Sequence, residues 1–165
     1  MKSILVQFDT DEQPSVFDRV VAVDAGVDEL FAYGGVTAET VESLVHGTIF
    51  TRGIADLSST AIFVGGKDVE AGERVFAAVQ SAFFGPMRVS VMMDANGSNT
   101  TAAAAVLRAR RHVALASSVA VVLGGTGPVG VRVAELLALE GTVVRVGSRS
   151  VERAGEACET IAGRL

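Results

Sequence analysis

The sequence predicts an α/β chain in two parts, and three observations carry that prediction. Short apolar runs alternate with segments of helical period four times between residues 4 and 111, the pattern of a parallel sheet with helices on both faces. At Arg108–Ser118 the composition shifts, which marks a boundary between residues 1–112 and 113–165. Beyond it an apolar run leads into glycines spaced G-x-G-x-x-G, a helical segment and a second apolar run, a further strand–turn–helix–strand unit.

Ile4–Phe8 reads as the first strand, with Asp9-Thr-Asp11 at its carboxyl end. Pro14 opens a helix to Ala25, stopped by Gly26, with Val16, Phe17, Val20 and Val21 as its expected inner face. Leu30–Tyr33 is the second strand, closed by Gly34-Gly35, and Thr37 is expected to cap a short helix, Ala38–His46, with Gly47 just past its end. Thr48–Gly53 then leads into a polar loop, Ile54–Ser59. The third strand is Thr60–Val64, followed by Gly65-Gly-Lys67. Asp68 caps a long helix to Phe84, with Val69, Val75, Phe76, Val79 and Phe83 inside and Gly85-Pro86 as its stop. Met87–Met93 is the fourth strand, ahead of Asp94–Thr101 and an alanine-rich helix to about Arg111.

The second part opens on Val119–Leu123, an unbroken apolar run expected to be buried on both faces. In the turn after it, Gly125 allows a tight bend, Gly127 lets backbone approach a pyrophosphate, and Gly130 lets helix and strand pack closely. Pro128 suits the first turn of the following helix, whose N-terminus offers free N–H groups and a positive dipole end. Gly125, Thr126, Gly127, Pro128, Val129 and Gly130 are therefore the candidate residues for a nicotinamide dinucleotide in a Rossmann unit. Val143–Val146 is the second strand, ending in Gly147-Ser-Arg149 with no carboxylate before Glu152. A carboxylate there would repel a 2′-phosphate, whereas Arg149 can pair with it and Ser148 can donate to it, so NADP is expected ahead of NAD. The plainer alternative leaves Arg149 in solvent at the start of the last helix, Val151–Leu165. As read, the unit holds two strands, the first half of a Rossmann domain.

Of the 165 residues, 49% are hydrophobic and 20% charged, ample for a packed core. The net charge of -5 argues against a nucleic-acid partner. No apolar run approaches the ~20 residues of a membrane span, and Met1-Lys-Ser is not the start of a signal peptide. One cysteine, Cys158, forms no internal disulfide, fits a reducing cytoplasm and is expected to be a small buried apolar group. Two distant histidines, His46 and His112, argue against a metal site; His46, in the last turn of its helix, suits the C-terminal dipole.

Ligands of open parallel sheets bind beyond the carboxyl ends of the strands. That rule gathers Asp9–Asp11, Tyr33–Gly35, Gly65–Lys67 and Asp94–Thr101 along one edge. The last is richest: Asp94, Asn96, Ser98, Asn99 and Thr100 are candidate substrate ligands, suited to fixing a heterocycle or an acidic tail. Capping by Ser98 or Asn99 and a turn at Asn96-Gly97 explain one or two of these side chains and not all. Asp9, Asp11 and Asp18 can receive the amino and ring N–H groups of a pterin, since a carboxylate accepts two parallel hydrogen bonds. For Asp11 a helix-start role is preferred. Lys67 suits an anion or plain solvation, and Arg52 a carboxylate or a surface position. There is no Ser–His–Asp or Cys–His arrangement, glycosidase carboxylate pair or Walker loop, and no catalytic side chain is assigned. Hydride transfer tolerates this, because it needs positioning more than an acid or base.

Gln7–Asp11 with Pro14–Asp18, then Gly47–Gly53, Ser59–Gly66, Ala71–Phe76, Phe83–Pro86, Asp94–Thr101 and Gly125–Gly130, resemble the NADP-dependent methylene-tetrahydromethanopterin dehydrogenases of methylotrophic bacteria. The resemblance runs from the first strand to the nucleotide turn. It implies oxidation of methylene-tetrahydromethanopterin, or methylene-tetrahydrofolate, to the methenyl form with direct hydride transfer to NADP+; some relatives also accept NAD+. It further implies a pterin held between the two domains, a homo-oligomer, and cytoplasmic one-carbon (formaldehyde) oxidation. Family members are longer and finish the Rossmann domain, so the chain is expected to correspond to part of one. Two alternatives stay open. One is a methylene-tetrahydrofolate dehydrogenase with cyclohydrolase activity, which wants a lysine such as Lys67; the other is a truncated NADP-binding relative without turnover.

Overall fold

The computed structural model describes the whole chain, Met1–Leu165. It divides into two compact units, Met1–Asn96 and Gly97–Leu165. The alanine-rich helix, expected before a boundary at residues 112–113, thus groups with the second unit.

In the first unit β1 (Ile4–Asp9), β2 (Glu29–Tyr33), β3 (Thr60–Gly65) and β4 (Ser90–Met93) form one parallel sheet in the order β2-β1-β3-β4. Phe8 pairs with Tyr33 on one side and Val64 on the other, and Ile62 pairs with Val91. This register puts Val6, Phe8, Ile62, Val64 and Met93 on one face. There they pack with Val41, Val45 and Ile49 of α2 (Val41–Ile49) and Val75 and Val79 of α3 (Val69–Ser81). Burying each such side chain is worth roughly 1.5–3 kcal/mol, so this one-sided core holds the unit together. Asp68 caps α3 as expected, accepting from the Ala71 N–H at 3.0 Å. The helix α2 begins and ends later than its glycine and threonine signals suggested: Gly47 lies inside it and Phe50 closes it. Met87–Val89 falls outside β4, because Gly85-Pro86 first makes a tight reversal with Phe84 bridged to Met87.

The opposite sheet face carries Leu5, Gln7 and Asp9 of β1, with α1 (Val16–Asp24) on that side. The expected inner face of α1 is overturned. Phe17 is 76% exposed, and Val16, Val20 and Val21 are also exposed, while Ala22 is the buried residue. Asp18, Arg19 and Ala22 form the inward stripe instead. The small Ala22 permits close approach, and the face beneath ends in the polar pair Gln7 and Asp9.

In the second unit β5 (Val119–Leu123) and β6 (Val143–Gly147) pair in parallel. Between them in sequence runs α5 (Pro128–Leu139), on which α4 (Ser98–Arg110) packs. Val106, Leu115, Val122, Ala134, Leu137 and Ile161 of α6 (Val151–Ala162) make its core. The expectation that β5 is buried on both faces fails here: Val119, Val121 and Leu123 are exposed, as is Val143 beside them. Two strands with helices on one side leave the other side bare. No helix is long and apolar enough to cross a membrane.

Candidate functional site

The sheet order reverses direction between β1 and β3, since β1 continues to β2 on one side and β3 to β4 on the other. Such a switch point opens a crevice at the carboxyl ends of its two strands. Asp9 ends β1 there and Gly65 ends β3. Asp9 is fully buried. Its Oδ1 accepts from the Asp11 N–H at 2.9 Å, and its Oδ2 accepts from the Ser15 N–H at 2.9 Å and the Gln7 Nε2 at 3.1 Å. Asp18 follows the N-cap Ser15, whose Oγ accepts from the Asp18 N–H at 3.2 Å. A Cβ added at Gly65 would stand 3.4 Å from Asp9 Oδ2 and 3.5 Å from Asp18 Oδ2, so both carboxylates converge on the space that glycine leaves. Burial pushes the Asp18 carboxyl above its usual range; the Ser15 hydroxyl opposes this, and the charges of Asp9 and Asp94 add to it.

The loops around this edge are laced tightly. The Thr10 N–H donates to Gly65 O at 3.3 Å, and the Thr10 side chain fills the place a Cβ on Gly66 would take. After β4, the Asp94 N–H donates to Val64 O and the Asn96 N–H to Gly66 O at 2.7 Å. Asn96 has a left-handed backbone, φ 56°, and is exposed at the end of the first unit. The first unit thus brings together Asp9, Asp18 and Asp94, three of the expected substrate residues. Ser98, Asn99 and Thr100 lie in the first turn of α4, in the second unit. Neither Ser98 nor Asn99 occupies the cap position, which Gly97 takes at φ 60°. Ser98 is fully buried, Asn99 half-buried and Thr100 exposed.

The glycine turn before α5 sorts its residues by what surrounds them. Gly124, which the spacing motif does not include, makes the bend at φ 68°. A Cβ on Gly125 would meet Val122 O and Val146 Cγ1 at 2.8 Å, so Gly125 serves strand packing more than bending. One on Gly130 would run into the Gly124 carbonyl, so the close approach is of helix to turn, where helix-to-strand packing is what the spacing predicts. A Cβ on Gly127 would make only an ordinary contact, 3.5 Å from the Gly124 carbonyl, to which the Gly127 N–H donates at 3.1 Å. Gly127 is the N-cap of α5 and contributes no side-chain acceptor, and Pro128 follows in the first turn. The amides of Val129 and Gly130 are first-turn donors, which have no partner within a helix. An uncapped helix start beside a glycine that presents no side chain is what a dinucleotide diphosphate requires, so the residues fit that group.

At the carboxyl end of β6, Ser148 and Arg149 are both exposed. The Ser148 Oγ accepts from the Ser150 N–H at 3.2 Å. Ser150, not Arg149, caps α6, accepting from the Arg153 N–H at 3.2 Å. Arg149 is therefore not needed for the helix start.

Other polar residues have structural partners. Arg52 ties three segments, donating to Lys2 O, Ser59 O and Thr60 Oγ1 at 3.1 Å. Lys67, 88% exposed, pairs with Asp11 Oδ2 at 3.6 Å, so Asp11 serves this contact and the Asp9 bond. His46 sits in the last turn of α2 beside Phe50. Cys158 is exposed, against expectation, because Ala157 and Ile161 take the inner stripe of α6. Gln7, Ser15 and Gly124 were missed. Only Ser15, three residues before Asp18 at a helix start, carried a readable capping signal.

Residues 16–96 match the family model described as methylene-tetrahydromethanopterin dehydrogenase, N-terminal. The bifunctional protein MdtA of Methylorubrum extorquens is 53% identical over 166 residues, an alignment covering 99% of this chain and 58% of that protein. The NAD(P)-dependent methylenetetrahydromethanopterin dehydrogenase of the same organism is 36% identical over 171 residues, with the same 99% and 58% coverage. The chain thus spans 58% of the length of these relatives. With the family's N-terminal domain matched along its first unit and both relatives aligned through its second, the chain belongs to the methylene-tetrahydromethanopterin dehydrogenase family.

Proposed function

We propose that this chain supplies the pterin-side residues and the diphosphate-binding turn of an oxidoreductase. The reaction converts methylene-tetrahydromethanopterin, or methylene-tetrahydrofolate, to the methenyl form with hydride passing to NADP+, and NAD+ as a weaker acceptor. The observation that carries this reading is the uncapped start of α5, with no contact closer than 3.5 Å where a Cβ on Gly127 would stand and packed backbone under Gly125 and Gly130. A 36% identical relative whose name states NAD(P) dependence supports it.

In this reading the turn holds the diphosphate with the backbone N–H groups of Thr126, Val129 and Gly130 and the helix dipole, while Gly125, Gly127 and Pro128 shape it. Arg149 and Ser148 take the 2′-phosphate. NADP bound there supplies the hydride acceptor. Asp18, Asp94, Asn96, Ser98, Asn99 and Thr100 orient the pterin, with Asp9 behind them. The nitrogen lone pairs flanking the methylene carbon stabilise the cation left when hydride departs, so the residues must position rather than move a proton. The setting is cytoplasmic one-carbon oxidation in a homo-oligomer.

The test is formation of reduced nicotinamide from methylene-tetrahydromethanopterin with NADP+ or NAD+, using the polypeptide that carries these residues. Turnover with preference for NADP+ supports the reading. Absence of turnover with either pterin and either nucleotide overturns it.

A further inference from the structure

Asp9 is a carboxylate with no path to solvent, at the point of the sheet where ligands enter. Its two oxygens face three N–H donors, from Asp11, Ser15 and Gln7, and Gln7 is itself 1% exposed. Three donors on one buried carboxylate satisfy both its oxygens and leave little room for a ligand to reach it. Ser15 links it to its neighbour: the Ser15 N–H binds Asp9, and the Ser15 Oγ receives the Asp18 N–H. Asp9 Oδ2 and Asp18 Oδ2 both lie against Gly65, 3.4 and 3.5 Å from where its Cβ would stand. Asp18, unlike Asp9, is half-buried and open to a ligand.

We propose that Asp9 is a positioning residue that works through Asp18: its bond to Ser15, whose hydroxyl caps the Asp18 N–H, and its place beside Gly65 hold Asp18 where it meets a ligand. This deepens the pterin-side reading above and rests on it for the identity of the ligand. A carboxyl that keeps its proton can donate a hydrogen bond to a ring nitrogen or carbonyl, whereas a carboxylate only accepts. Asp9 thereby biases Asp18 toward the form that can donate. The raised proton affinity of Asp18, from burial first and then from Asp9 and Asp94 against the Ser15 hydroxyl, is the expected consequence. The other charges on this edge are Asp11 and Lys67, paired with each other at 3.6 Å, and Arg19, next to Asp18 on α1.

The experiment is a carbon-13 carboxyl titration of aspartate-labelled protein, with the Asp18 resonance identified by its loss in Asp18→Asn. In the unmutated chain Asp18 titrates above the ordinary carboxylate range, and in Asp9→Asn its midpoint moves to lower pH. An unmoved midpoint, or an ordinary one in the unmutated chain, overturns the proposal. Should Asp9→Asn not fold, Gln7→Leu decides: it removes a donor from Asp9 Oδ2 without touching Asp18, the Asp18 midpoint must shift, and an unmoved midpoint overturns the role of Asp9. A second arm measures tetrahydromethanopterin affinity against pH, whose inflection follows the Asp18 midpoint in each variant. If the pterin binds at no pH, the proposed function fails while the carboxyl titration still decides the role of Asp9.

Discussion

Gly127 and Gly130 differ by what a single methyl group would meet, and that difference separates binding from folding. Gly130→Ala drives its Cβ against the Gly124 carbonyl and should cost about 1–3 kcal/mol as overpacking. Gly127→Ala meets nothing nearer than 3.5 Å, so stability should change by about 1 kcal/mol or less, the worth of a glycine cap over alanine. Its NADPH affinity should nonetheless fall by at least about tenfold, 1.4 kcal/mol, because the methyl occupies the space left for the diphosphate. Chemical denaturation beside nucleotide titration checks both. Arg149→Ala should weaken NADP relative to NAD by about 1–3 kcal/mol as a charge-assisted contact is lost; equal loss for both would contradict the 2′-phosphate role. Asp18 makes a pH prediction. Its native proton affinity lies above the unperturbed value of 3.8, so ionising it disfavours the folded state as pH rises through that window. Asp18→Asn should therefore melt at a higher temperature than the unmutated chain at neutral pH, with the gap closing as pH falls toward 3.8. A gap that is absent at neutral pH, or that widens in acid, would contradict this. The motif glycines, Ser148, Arg149 and the aspartates stand out by spacing and chemistry as candidates. Gln7 and the burial of Asp9 could not, because nothing in a strand's alternation says which polar residue ends beneath a helix.

At the scale of elements, apolar periodicity located the helices but did not orient them all. In α3, Val75 and Val79 face the core as their spacing says. In α1 two stripes compete, one of valines and phenylalanine and one of Asp18, Arg19 and Ala22, and the second faces inward. The deciding factors are the cap at Ser15 and the polar end of β1, which are tertiary facts. Val20→Gln should then change stability by no more than about 0.5 kcal/mol, while Ala22→Leu should cost about 1–3 kcal/mol through overpacking. The reverse ranking in a denaturant titration would restore the sequence-based orientation. The strand β5 failed in a related way. An apolar run marks a strand that can be covered on both faces, and it does not say that the residues at hand cover it.

For the molecule as a whole, four βα repeats and one glycine-marked βαβ segment made the α/β class and its parallel sheets legible. The strand order β2-β1-β3-β4 was not, since the direction of each crossover is set by packing rather than by any residue. That order brings Asp9 and Gly65 side by side and gathers the carboxyl-edge loops of the first unit. The division after Asn96 was hidden because the chain passes through Asn96 and Gly97 without a compositional break. The central claim is that backbone amides at the start of α5 grip the diphosphate of a nicotinamide dinucleotide. Amide chemical-shift mapping during NADPH titration tests it most directly. Saturable shifts are expected to concentrate at the amides from Gly125 to Gly130, Pro128 having none, with smaller ones at Ser148 and Arg149. Saturable binding that leaves those amides unmoved, or no binding at all, would contradict it.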